Sequence, residues 1–263
     1  MALMGMNVAG QSYDEWIDRS FAALDSARLD LAEEALLSAM RQEPDNPRNR
    51  LLLLNIGSIQ RKAGKSREAL DSYNLALQMD PTSQVLLRNR ASLLGEMEKY
   101  VEAAFDYSKL LKNDPTNAEL LYERAMVYIQ LGELGKADED LRLIVARDDD
   151  ALLGRKGYAK LEMVRGNHLE AERIYSYLIE QEPHDPSFYV GRAELYYVTK
   201  RYSRAQADLT KAIHGLGYAH DGYLYLLRAR IKMAQYDKTG AVKDLKRAQE
   251  LDYPIGELEK LME

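Results

Sequence analysis

Residues 84–117 read QVLLRNRASLLGEMEKYVEAAFDYSKLLKNDPTN, and residues 118–151 read AELLYERAMVYIQLGELGKADEDLRLIVARDDDA. Laid one under the other, the two stretches agree where it matters. Ala91 stands over Ala125, Ala103 over Ala137, and Glu98 over Gly132. Working outward, the second alanine recurs as Ala69, Ala103, Ala137, Ala171 and Ala205, always 34 residues apart. Ala32 extends the series upstream, and Ala241 extends it downstream after a slip in register. Pro44, Pro81, Pro115 and Pro183 each follow such an alanine by 12 residues, and Asp149 fills that slot between Pro115 and Pro183. A period of this length marks a stack of two-helix units, each unable to bury its apolar face alone. Apolar residues fall at helical spacing within a period, as in Leu120, Leu121, Ala125, Tyr128 and Ile129, then Ala137, Leu141 and Ile144.

The pattern closely resembles the tetratricopeptide repeat family. There a small residue at repeat position 8 faces alanine at 20, a large apolar or aromatic residue occupies 24, and proline occupies 32. This chain supplies Gly57, Ala91, Ala125, Ala159, Ala193 and Ala229 at position 8, with Leu36, Tyr73, Tyr107, Leu141, Tyr175, Leu209 and Leu245 at position 24. Trp16 fills the position 4 tryptophan slot of the first repeat, and Gly64, Gly132 and Gly166 keep the turn glycine of position 15. Departures are Ser20 at position 8, Asp149, Gly217 and Tyr253 in place of proline, and Leu110, Ile144 and Leu178 at position 27. The resemblance implies an all-α fold, an α-solenoid of about seven helix-turn-helix repeats wound as a right-handed superhelix. The repeats are placed at 13–46, 50–83, 84–117, 118–151, 152–185, 186–219 and 222–255.

Two insertions interrupt the period. Pro47 to Asn49 are read as an added turn on the third helix, with Asn46 capping it, and His220 with Asp221 as a longer loop before the last repeat. Asp185 before Pro186 is a second capping pair. Residues 1–12 are either the remnant of a signal peptide, ending in Val8-Ala9-Gly10, or a disordered tail. The first reading expects an exported or periplasmic bacterial protein, the second a cytoplasmic one. Residues 256–263 are expected to form a short C-terminal cap that includes Leu258, Leu261 and Met262.

Arginine and aspartate recur 16 residues apart, as Arg90 with Asp106, Arg124 with Asp140, Arg192 with Asp208, and Arg228 with Asp244. In repeats two and five both are replaced together, by Ile56 with Ser72 and by Tyr158 with Ile174; only Arg19, facing Ala35, breaks the rule. Joint presence and joint absence is expected of a partly buried ion pair, because removing one partner strands a charge at about 3 to 5 kcal/mol. These residues are therefore assigned to the framework.

Composition narrows function. A net charge of -6 argues against a general nucleic-acid binder. The charge is uneven, with nine acids against three bases in 13–46 and six bases against three acids in 47–83, a surface pattern that solvated helix faces also produce. The absence of cysteine removes disulfides, thiolate catalysis and cysteine metal sites. His168, His184, His214 and His220 sit at turns and supply no metal set or nucleophile with a base, and the glycines form no phosphate loop. No catalysis and no cofactor are expected.

By resemblance, first helices line a concave groove through positions 2, 5, 6, 9, 12 and 13, where a peptide or a helix of a partner protein would lie. The resulting candidates are Asn55, Ser58, Arg61, Arg88, Asn89, Tyr122, Met126, Lys156, Lys160 and Tyr197, with Lys62, Ser92, Glu119, Glu123, Met163, Glu194, Tyr223, Arg230 and Met233 around them. Asn55 and Asn89 hold one slot in consecutive repeats, where an amide offers both donor and acceptor to a peptide backbone, though solvated groove polarity reads the same way. Groove lysines and arginines would attract an acidic segment. The carboxylate clamp of chaperone-binding relatives is not matched: Lys156 holds one slot, but Lys160 and Gly191 stand where it needs asparagine. Most of the 18 tyrosines fit large slots between helices. The other function class is a structural subunit that self-associates through its termini.

Overall fold

The computed structural model describes residues 11–146, 152–251 and 253, and these form helices joined by short turns, with no strand among them. The proposed leader at 1–10, the cap at 256–263 and Asp148 to Asp150 lie outside the described residues. Two compact bodies divide the chain, residues 1–131 and 132–263. The first contains α1 (Tyr13–Asp25), α2 (Leu29–Gln42), α3 (Asn49–Lys62), α4 (Ser66–Met79), α5 (Gln84–Glu96), α6 (Tyr100–Asn113) and α7 (Ala118–Gln130). The second contains α8 (Leu134–Val145), α9 (Leu152–Val164), α10 (His168–Gln181), α11 (Pro186–Val198), α12 (Tyr202–Thr210), α13 (Gly222–Ala234) and α14 (Lys238–Glu250). Within each body every helix packs on the next in sequence, and α3 also meets α5, α9 meets α11 and α11 meets α13. About seven helix pairs make an all-α stack, as the period demands.

The recurring alanines explain the packing. Ala69, Ala103, Ala137, Ala171 and Ala205 are each 0% exposed, as are Ala91, Ala125, Ala159 and Ala193. At position 8 the position 24 side chain of the paired second helix packs over the small residue, and where that ring sits closest even a methyl is excluded: a Cβ on Gly57 would stand 2.5 Å from the Tyr73 ring. The Tyr175 ring likewise stands 2.5 Å from where a Cβ on Gly191, at position 6 of the following repeat, would lie.

Turns between paired helices share one conformation regardless of sequence. Ala27, Gly64, Glu98, Gly132, Gly166, Lys200 and Tyr236, all at position 15, have φ between 55° and 84°. In six of these turns the following residue donates its N–H back to a carbonyl five residues earlier, as in Lys65 to Gln60 (2.8 Å), Lys99 to Leu94 (2.8 Å) and Arg201 to Tyr196 (2.7 Å). Packing on both sides fixes this turn, so non-glycine residues are held in the left-handed region at a cost of about 1 to 2 kcal/mol each.

The insertions are absorbed locally. Asn46 accepts the Arg48 N–H at 2.8 Å, and its carbonyl accepts the Asn49 N–H at 2.9 Å. Pro47 and Arg48 therefore form a tight turn ahead of α3 rather than a further turn of helix. This turn delivers Asn49 into the core, 2% exposed. There its amide donates to the carbonyls of Glu43 and Pro44 at 2.8 and 2.9 Å and accepts from the Tyr13 hydroxyl at 3.1 Å. After α12 the chain widens into a π-helical turn at Lys211–Gly215. The following loop ends at Asp221, which caps α13 through the Tyr223 N–H at 2.9 Å. Asp185 caps α11 through the Ser187 N–H at 2.8 Å.

Three of the four arginine–aspartate pairs lie wholly within one body, and each is a two-pronged fork. Arg90 reaches Asp106 at 2.7 and 2.8 Å, Arg192 reaches Asp208 at 2.8 and 2.8 Å, and Arg228 reaches Asp244 at 2.8 and 2.6 Å. The remaining Nη1 of the arginine reaches back to the preceding second helix, from Arg90 to Asn74 at 2.8 Å, from Arg124 to Ser108 at 3.0 Å and from Arg192 to Ser176 at 3.2 Å. One guanidinium thus joins three helices. At Arg192 and Asp208 the side chains are 19% and 9% exposed, so desolvation is recovered only while both partners remain. In repeat two Ser72 instead donates to Gln60 at 2.7 Å, and Gln60 donates to Glu33 at 2.7 Å. A double-mutant cycle on Arg192→Ala and Asp208→Ala, read by urea unfolding, should give a coupling energy above about 1 kcal/mol. Joint replacement by Tyr and Ile, the repeat-five residues, should cost less than either single alanine. A coupling near zero contradicts the pairing.

Candidate peptide-binding face

The first helices α3 and α5 present the polar candidates of the first body. Ser58, Arg61 and Lys62 from α3, Asn89 and Glu96 from α5, and Tyr73 from α4 line one depression of about 430 Å³. The structure therefore gathers Ser58, Arg61 and Asn89, while Asn55 lies one turn before Ser58 on α3, exposed. Ser58 and Tyr73 hydroxyls meet at 3.2 Å.

The arginines of this face are already engaged. Arg61 forks onto the Glu96 carboxylate, with Nε at 2.9 Å, and donates to Ser92 at 2.8 Å. Arg88 donates to Glu119 at 2.8 Å. In the second body Lys160 donates to Glu194 at 2.5 Å, Tyr223 donates to the other oxygen of Glu194 at 2.7 Å, and Lys156 donates to Ser187 at 3.0 Å. Each of these bonds runs from one repeat to the next, so the basic stretch expected at Arg61 and Arg88 is neutralised by the stack itself. Glu96 was not among the sequence candidates. Its signal was the separation of 35 residues from Arg61, close to one period, as for Arg88 with Glu119 and Lys160 with Glu194.

Lys62 and two amides remain open. The amides of Asn55 and Asn89 make no hydrogen bond to any described residue, and Asn89 sits half-buried in the wall of the depression. Tyr122 and Met126 on α7 are half-buried, and so is Tyr197 on α11, whose ring centroid lies 6.2 Å from that of Tyr202. Among the described residues no group of histidine, aspartate and glutamate is arranged to hold a metal ion. No described helix is long and apolar enough to cross a membrane.

The tetratricopeptide repeat sequence pattern matches residues 18–83, 107–139 and 159–220. A tetratricopeptide repeat protein from Parabacteroides merdae is similar over 96% of this chain and 98% of its own, at 41% identity and a TM-score of 0.77. The chain belongs to the tetratricopeptide repeat family. Two more distant solved structures share the tetratricopeptide fold. MamA 41-end from Desulfovibrio magneticus is 17% identical, with 66% of this chain and 97% of that one aligned and a TM-score of 0.58. Yeast Tom70 is 14% identical, with 99% of this chain and 65% of that one aligned and a TM-score of 0.62. Comparison with curated proteins gave no match. As a tetratricopeptide array, the chain is a scaffold for protein interaction.

Below the repeats' polar face, the Tyr107 hydroxyl is held well above the ordinary tyrosine value, by burial first and by the Glu123 charge next, against the opposing pull of Arg88 and Arg61. An unfolded chain ionises tyrosine near pH 10, whereas folded Tyr107 keeps its proton. The folded state binds more protons in that range, so stability is present below about pH 10 and is lost as pH rises towards the folded value. Tyr107→Phe should lose less stability than wild type between about pH 10 and 11.5, measured as the shift of the urea midpoint. An identical loss contradicts the assignment.

Proposed function

We propose that this tetratricopeptide array binds an extended segment of a partner protein across α3 and α5, with Asn55 and Asn89 holding its backbone. The observation that carries this reading is the pair of open amides in one slot of consecutive repeats, beside a depression whose arginine is already paired. An amide supplies a donor and an acceptor together, which matches a peptide unit and ignores side-chain identity. Arg61 and Arg88 would have to leave their carboxylates to reach an acidic run, so Lys62 is the open cation beside the amides. Tyr122 and Met126 of α7 extend the candidate surface within the first body, and Lys156, Lys160 and Tyr197 are the contact candidates of the second body taken by itself. The role needs no cofactor and no chemistry by the protein.

Affinity capture with the wild type, identification of the bound partner, and titration of that partner against Asn55→Ala with Asn89→Ala test the reading. Two hydrogen bonds of about 0.5 to 1.5 kcal/mol each predict a loss of roughly five- to 150-fold, and the loss itself should vary little with salt because the amides carry no charge. Unchanged affinity in the double variant contradicts it.

A further inference from the structure

We infer that the cleft between α4 and α6 is a second docking surface, for an amphipathic helix of another protein that carries a bulky apolar residue and, one turn on, an aspartate or glutamate. Both α4 and α6 pack on α5, which floors the cleft with Leu87, Arg90 and Leu94. At one end a cavity of about 430 Å³ is walled by Leu70, Leu94, Val101 and Phe105. At the other a cavity of about 350 Å³ is walled by Asn74, Leu77, Leu87 and Lys109. Asn74 and Arg90, hydrogen-bonded to each other at 2.8 Å, belong to both, so the two cavities adjoin along the cleft. None of these residues lines the Asn89 depression.

The chemistry of the walls selects the occupant. Val101 and Phe105 are 67% and 60% exposed on one stripe of α6, one turn apart, above buried Leu94. None of the described residues covers this apolar surface. The charge of the floor is already paired: Arg90 donates to both oxygens of Asp106 and to Asn74, and Asp106 is buried. Lys99 and Glu102 at the apolar rim offset each other in charge. One turn beyond Phe105, Lys109 lies over the ring at 4.6 Å from its centroid and has no carboxylate partner among the described residues. It is the uncompensated charge of the cleft. The stripe Val101, Phe105, Lys109 therefore reads apolar, apolar, cationic at one-turn intervals, about 6 Å apart. A facing helix complements it with apolar side chains at the Phe105 end and a carboxylate beside Lys109, the helix-in-groove mode of recognition.

The test is selection of a displayed library of helix-forming peptides, randomised on one face, against the full chain, with Phe105→Glu and Lys109→Glu as comparison targets. Both positions are partly or largely exposed, and circular dichroism melts confirm that the variants fold. Wild type should enrich peptides with Leu, Ile, Phe or Met followed one turn on by Asp or Glu. Phe105→Glu should reduce their binding about tenfold or more, and Lys109→Glu should exchange the selected acid for Lys or Arg. Enrichment indifferent to both substitutions, or loss of binding only in Asn55→Ala with Asn89→Ala, overturns the assignment. So does sedimentation showing that Phe105→Glu converts a dimer to a monomer, since a second copy then fills the cleft.

Discussion

Everything in this molecule depends on how closely two helices can cross. The alanine at repeat position 20 and the small residue at position 8 bring the backbones together, and the position 24 side chain then closes the gap from the neighbouring helix. Dispersion and apolar burial scale with such contact, and a single pair cannot supply enough of it, which is why the unit repeats. The turn follows from the crossing. Glu98, Lys200 and Tyr236 accept a left-handed backbone because the helices on either side have fixed where the chain must go.

Charge is organised by the same register. The buried forks of Arg90, Arg192 and Arg228 tie first helices to second helices, while Arg61, Arg88 and Lys160 tie each first helix to the next one. The exposed member of this second set, Arg88 with Glu119, contributes little to stability on its own, since surface ion pairs are worth about 0 to 1 kcal/mol. Their larger effect is on recognition: cations spent on neighbouring repeats are not available to a ligand. What is left for the proposed binding is amide chemistry beside one open lysine, Lys62, on one surface and an apolar cleft with one lysine on another.

Most of the fold was legible in the sequence because its determinants recur. A small residue repeated every 34 residues, with proline 12 further on, identifies the helix pair and its packing face together. The 16-residue arginine–aspartate spacing was legible for the same reason, and the forks are present where both partners lie in one body. Features that occur once were not. Nothing in Pro47-Arg48-Asn49 announces that Asn49 is buried and bonded to two carbonyls and a tyrosine, and the π-helical turn at Lys211–Gly215 has no sequence mark. For the candidate site, the sequence located the polar face but not which of its groups were free. Pairing across repeats joins residues about 31 to 35 apart, so the openness of Asn55 and Asn89 appears only when their neighbours are in place.

The alanines that stack and the asparagines proposed to bind are thus distinguishable by energy. Equilibrium unfolding in urea of Ala103→Leu beside Asn89→Ala compares them directly. The leucine must enter a crossing where the alanine is 0% exposed, and should cost about 1 to 3 kcal/mol. The asparagine has no partner to lose and should change stability by less than about 0.5 kcal/mol. A loss at Asn89 equal to or greater than that at Ala103 would contradict the division on which the account rests.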